Sequence, residues 1–177
     1  LLISWHGAYR RSELVNIKFH NVKDFNEGLS IKLDRSKSDK TGKNPPKPIN
    51  RLKGDPNFKN FSCPCEAYDQ WIEISKIADG NVFVQIDSSN KINHSNLSDK
   101  SIALIVKKWA EKANIDNDKL SGHSARAGFV TSMAERGATL IEIMKTTQHK
   151  SIEMPLRYYQ DANFFNTAVK SHLKNKS

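Results

Sequence analysis

Near the end of this chain, two histidines, several cations and a pair of tyrosines fall within about forty residues. They read Gly122-His123-Ser124-Ala125-Arg126, then Gln148-His149-Lys150-Ser151, then Arg157-Tyr158-Tyr159. These side chains form an inventory for handling a phosphodiester without metal. Cations answer the phosphate charge, imidazoles move protons, and a phenol can attack phosphorus. His123 and Arg126 are three residues apart in an expected helix, a spacing that lets both address one ligand. An arginine fork matches two phosphate oxygens better than a lysine point charge does. Taken alone, the pair reads more readily as a surface histidine beside a solvated arginine. A Tyr-Tyr pair likewise reads as core packing unless cations or a base favour the phenolate, because a free phenol has a pKa of about 10.

Further cations stand earlier in the chain. Arg10 and Arg11 precede Ser12-Glu13-Leu14 at a helix start, where basic residues oppose the helix dipole. Their placement suggests anion binding, with a plain charge pair to Glu13 as the alternative. Lys37 sits at a strand end before a turn. The other histidines, His6, His20, His94 and His172, have no partners at useful spacing.

Bulk composition points the same way. Lysine and arginine total 28 against 19 aspartates and glutamates, a net charge of +9 that favours a polyanionic partner, nucleic acid first. At 177 residues the chain suits one domain. Three tryptophans and eight phenylalanines can anchor its core. Cys63 and Cys65 stand as Cys-Pro-Cys, too close for a zinc knuckle and without a nearby histidine pair. They read as reduced or buried thiols. No segment approaches the roughly 18 apolar residues of a membrane helix. The start, Leu1-Leu2-Ile3-Ser4-Trp5-His6, reads as the middle of an apolar helix, which suggests a fragment whose preceding domain is missing.

The elements that must position these groups are mostly helical, with one small antiparallel sheet. Residues 1–6 and 10–17 read as helical pieces around Gly7. Leu29, Ile31 and Leu33 alternate with polar residues as a half-buried strand after the turn Asn26-Glu27-Gly28. A second turn at Ser38-Asp39-Lys40-Thr41-Gly42 leads through Pro45-Pro46-Lys47-Pro48 to a short edge segment at Ile49. Pro64 opens a helix whose apolar stripe is Ala67, Trp71, Ile74 and Ile77/Ala78. Val82-Phe83-Val84 is a buried piece, followed by a polar loop to Asn96. Ser98 caps a helix carrying Ile102, Ile105/Val106, Trp109 and Ala113. Another helix runs from about His123 to Arg136 and stops at Gly137. Thr139 caps the next, with Leu140, Ile143 and Met144 inward. Pro155 opens or kinks the tyrosine segment, and a last helix spans about 163–173.

Each signal is weak singly, but their order is specific. Arg10-Arg11-Ser12-Glu13-Leu14, Arg35-Ser36-Lys37-Ser38-Asp39, Gly122-His123-Ser124-Ala125-Arg126-Ala127-Gly128, His149-Lys150-Ser151 and Arg157-Tyr158 together resemble the catalytic domain of the tyrosine recombinase (phage integrase) family. The resemblance reaches from the first residues to about Phe165. It implies a mainly α fold with a small antiparallel sheet and a single catalytic domain over 1–177. The segment 163–177 would form a C-terminal helix and tail, docking on a neighbouring subunit or on its own domain.

The same resemblance implies a catalytic set of Arg10, Lys37, His123, Arg126, His149 and Tyr158, the last nine residues after His149. Tyr158 would form a 3′-phosphotyrosyl bond with DNA, Arg10 and Arg126 would hold the non-bridging oxygens, and Lys37 would protonate the leaving 5′-oxygen. His123 would relay the tyrosine proton, and His149 would donate to the phosphate. Neither cofactor nor metal is implied. The implied partners are double-stranded DNA and further copies of the chain in a tetrameric synapse on it, with a monomer as the alternative when free, for a bacterial or phage-encoded protein that is cytoplasmic and nucleoid-associated. The competing readings are a non-catalytic DNA-binding remnant, a His/Lys acid–base phosphodiesterase, and a topoisomerase or telomere resolvase with the same tyrosine chemistry.

Overall fold

The computed structural model describes residues 1–35, 39–53, 62–116, 118 and 120–164. Helix α1 (Leu2–His6) and helix α2 (Arg11–Leu14) are joined by a sharp turn at 7–10. Gly7 is needed there because a Cβ would lie 2.2 Å from the Tyr9 ring. Ala8 takes a positive φ of 45°, and the turn buries Ala8 and Tyr9 completely.

A three-stranded antiparallel sheet follows, with β1 (Val22–Phe25), β2 (Gly28–Ile31) and β3 (Lys47–Asn50) in that spatial order. The expected period-two pattern is realised: Leu29 and Ile31 of β2 and Ile49 of β3 point inward and are at most 2% exposed. β2 ends at Ile31, and Leu33 packs on the core from beyond it. Gly28 has φ 143°, and a Cβ there would meet the Ile49 carbonyl oxygen at 2.1 Å, so the register permits no side chain. The middle of the long β2–β3 connection, including Lys37, lies outside the described residues.

Helix α3 (Pro64–Ser75) starts with proline in its first turn and ends at Lys76 in the left-handed region. Trp71 packs inward and donates from Nε1 to the Val82 carbonyl at 2.7 Å. Ile74, expected on the buried stripe, is 69% exposed instead. Both cysteines are free and buried. The expected polar loop before Asn96 contains a second hairpin, β4 (Val84–Ile86) against β5 (Ile92–Asn96). Its turn is built by the Asp87 carboxylate, which accepts from the backbone N–H groups of Ser89 and Lys91.

Helix α4 (Asp99–Lys112) is capped by Ser98, whose hydroxyl accepts from the Ser101 N–H at 3.1 Å. Ser98→Ala should therefore cost about 1 kcal/mol of stability. Urea unfolding checks this, and an unchanged midpoint would contradict it. Ile102 is buried, whereas Trp109 is 54% exposed with the Lys112 ammonium over its ring.

Helices α5 (Ser124–Glu135), α6 (Leu140–Thr147) and α7 (Glu153–Ala162) pack on one another around Phe129, Val130, Ala134 and Ile143. Thr139 caps α6 in a capping box with Glu142. Pro155 sits buried in the first turn of α7, where no intrahelical N–H bond is lost. Ala8 belongs to this second core and Tyr9 to the first, with Leu14, Ile17 and the sheet. The 7–10 turn is thus the seam between the two cores. The expected helix at 163–173 lies outside the described residues beyond 164.

Candidate active site

Arg10 occupies the N-cap of α2, so the turn at the seam of the two cores aims its side chain. Its backbone N–H donates to Glu13 Oε2 at 3.0 Å, and its Nη1 donates to Glu13 Oε1 at 2.5 Å. Glu13 is only 4% exposed. On its other side, Glu13 Oε2 lies 4.0 Å from Nη1 of Arg126. One buried carboxylate therefore stands between two guanidinium groups brought from opposite ends of the sequence.

Arg126 projects from the first turn of α5 into the interior and is 6% exposed. Nη1 donates to the Ala8 carbonyl and Nη2 to the Thr147 carbonyl, each at 2.6 Å. A single planar fork thus bridges the 7–10 turn to the last residue of α6. Burial, and then the charge of Arg10, lower its pKa to about 10, which leaves it protonated at neutral pH.

His149 follows Gln148, which closes α6 in a left-handed conformation. Its Nδ1 is 2.7 Å from Thr147 Oγ1. Burial first, then Arg126, Arg10 and Lys47, push its pKa down to about 3. An unfolded histidine titrates near 6.5. Between those values the unfolded chain binds the extra proton, so this contribution to stability is present above about 6.5 and is lost as pH falls toward 3. NMR of the imidazole should show His149 neutral from pH 8 to 5; a midpoint near 6.5 would contradict the buried cationic setting. Gln148 Nε2 donates to the Pro45 carbonyl at 2.8 Å, which ties the β2–β3 connection to this corner.

Lys47, at the start of β3, completes the cluster. It is 2% exposed, donates to the Gly7 carbonyl at 2.8 Å, and lies 4.6 Å above the Tyr9 ring. Arg10, Arg126 and Lys47 thus surround the single carboxylate of Glu13. Burying more positive than negative charge is costly unless an anion completes the set. Such an excess favours an anionic ligand.

The remaining expected residues are placed differently. His123 is exposed as the N-cap of α5, with αR dihedrals and its carbonyl accepting from the Ala127 N–H at 3.0 Å, whereas Arg126 three residues on is buried. Its backbone N–H donates to Ser121 Oγ. Tyr158 and Tyr159 are half-buried on α7 and pack against the core that contains Ala8. Arg157 is exposed. The charge pair of Arg10 with Glu13, the alternative to anion binding at that helix start, is present and buried on the Glu13 side, and Lys47 carries no motif of its own. The signal for Lys47 was its position two residues before Ile49 in a strand, which turns it inward. Among the described residues, no group of three or more His, Cys, Asp or Glu is placed to hold a metal ion, and no helix is long and apolar enough to cross a membrane.

The phage integrase family matches residues 1–164. An integrase/recombinase xerD homolog of Selenomonas ruminantium is 33% identical over 181 residues, covering 99% of this chain and 50% of that protein. The chain therefore spans about half the length of this curated relative. Among solved structures, the XerH site-specific recombinase, in a post-cleavage complex with a palindromic difH substrate, superposes with a TM-score of 0.66 at 16% identity. That match covers 97% of this chain and 43% of XerH. The XerA recombinase superposes at 0.64 and 16% identity, covering 96% of this chain and 53% of the other. At these identities the likeness is one of fold, a mainly helical domain with small antiparallel sheets shared with tyrosine recombinases.

Proposed function

We propose, from the premise that this chain belongs to the phage integrase family, that it cleaves and rejoins DNA strands in site-specific recombination. The observation that carries the reading is the buried cationic cluster, in which Arg10 and Arg126 flank Glu13 with Lys47 and a neutral His149 beside them. Such a cluster supplies preorganised charge where a pentavalent phosphorane accumulates it.

In the proposed reaction, the Tyr158 oxygen attacks the scissile phosphorus in line as the P–O5′ bond breaks. The phenol proton passes to His123. Arg10 and Arg126 hold the two non-bridging oxygens, and His149, uncharged, donates a hydrogen bond to one of them. Lys37 gives a proton to the departing 5′-oxygen. The product is a 3′-phosphotyrosyl ester and a free 5′-hydroxyl, and attack by another 5′-hydroxyl reverses the step on a new partner. Bond energy is kept in the ester, so the exchange needs neither ATP nor metal. The partner is double-stranded DNA, which the charge of +9 favours, and copies of the chain assemble on it to exchange strands in pairs.

Nicked suicide duplexes, selected for binding from a random library and incubated with the protein in chelator, test the reading. The expected result is a protein–DNA band that survives denaturing electrophoresis and disappears after protease. Tight binding with no covalent band under any condition would contradict strand cleavage. Cleaved DNA without attached protein would contradict the tyrosine ester and point to hydrolysis.

A further inference from the structure

Lys47 occupies a position that β-strand alternation reserves for an apolar residue. It pairs across the sheet with Ile31, and its inward neighbours are Leu29 and Ile49. An aliphatic side chain there would avoid the cost of burying an ammonium. The carboxylate of Glu13, which faces it, is already engaged by Arg10. What the ammonium does reach is the Gly7 carbonyl, at 2.8 Å. Arg126 takes the next carbonyl along, that of Ala8, at 2.6 Å. Two buried cations from different elements therefore hold successive carbonyls of the turn that ends in Arg10. The turn has no room for a side chain at its first residue, because a Cβ on Gly7 would lie 2.2 Å from the Tyr9 ring.

We propose that Lys47 is a positioning residue of the phosphate pocket, pinning the turn that carries Arg10 and adding its charge to the two arginines when an anion binds. The inference rests on reading the Arg10–Arg126 cluster as the phosphate site. The groups facing Lys47 are Glu13 of α2, Arg126 of α5, Arg10 and Tyr9 of the turn, and His149 after α6; Asp39 of the β2–β3 connection, held anionic by the Asn44 N–H, lines the same small cavity as Lys47. Burial lowers the Lys47 pKa to about 7; Glu13 opposes that shift, and Arg126 and Arg10 add to it. Tyr9, pushed up by burial, and His149, pushed down, keep one charge state through the neutral range. An anion on the arginines offsets their repulsion of Lys47, which then takes up a proton. By reciprocity, anion affinity falls as pH rises through about 7 and Lys47 loses its charge.

Inorganic sulfate is the probe, because it stays dianionic from pH 5.5 to 9 and any slope then belongs to the protein. Calorimetry of the intact chain should show affinity falling by about threefold to tenfold from pH 6 to 9, with net proton uptake at pH 8. Lys47→Met should weaken sulfate at pH 6 and abolish the slope. Lys47→Arg should restore affinity and hold it constant with pH. A purely structural lysine would change the melting temperature in these variants and leave the slope intact. Proton uptake is measured on the wild type, so the test survives a variant that fails to fold. Flat sulfate binding, no sulfate binding, or a Lys47→Met slope equal to that of the wild type would overturn the proposal. None of these readouts needs strand cleavage, so failure to form a DNA adduct would sink the recombinase chemistry and leave the role of Lys47 standing.

Discussion

Tyr158→Phe should abolish covalent DNA cleavage, lowering it by on the order of a thousandfold or more, while DNA affinity stays within about threefold. The change removes only the phenolic oxygen. The ring remains half-buried against the core of Phe129, Val130 and Ile143, so α7 should keep its seat and the melting temperature should barely move. Tyr159→Phe is the matched control. It shares the same helix and the same core, yet under the account it retains strong cleavage. Comparable losses in both variants, measured as adduct formed per minute on a suicide duplex, would contradict a single attacking phenol.

Arg126→Lys is the second large effect. The guanidinium bridges the Ala8 and Thr147 carbonyls while facing Glu13. A lysine supplies a charge but reaches one carbonyl in place of two, and leaving a buried acceptor unpaired costs about 1–3 kcal/mol. It also removes the fork that would grip a phosphate oxygen as charge develops, worth on the order of a hundredfold to a thousandfold in rate. Urea unfolding and single-turnover cleavage read the two losses separately. A variant within threefold of wild type in cleavage would show that Arg126 serves the fold alone.

The fold is legible in the sequence where a boundary is written in side-chain chemistry. Pro64, Ser98 and Thr139 mark the helix starts that the structure shows, and Gly137 follows the end of α5 with φ 88°. The β4–β5 hairpin is not legible, because Ile92–Asn96 is mostly exposed and shows no apolar alternation. Only the carboxylate geometry of Asp87 marks its turn. Trp109 and Ile74 misled for the opposite reason. Periodicity assigns them to a buried stripe, but the core is filled by Ile102, Ile77 and Trp71 before it reaches them.

At the site, the order of basic and histidine motifs names Arg10, Arg126 and His149, and the fold brings these into one electrostatic neighbourhood. His123 lies one step further out, as the exposed N-cap of α5. The carbonyls of Ala8 and Thr147 have no sequence signature at all, since any residue presents one. Their role follows from a positive φ at Ala8 and from where α6 stops. Lys47 is hidden for a related reason: among so many lysines, only strand register marks this one as inward-facing.

Peptide mapping of the trapped protein–DNA adduct tests the central claim most directly. After nuclease and protease digestion, mass spectrometry should find the residual 3′-phosphonucleotide esterified to the phenolic oxygen of Tyr158. An adduct carried on any other side chain, or strand cleavage that leaves every tyrosine unmodified, would contradict the account.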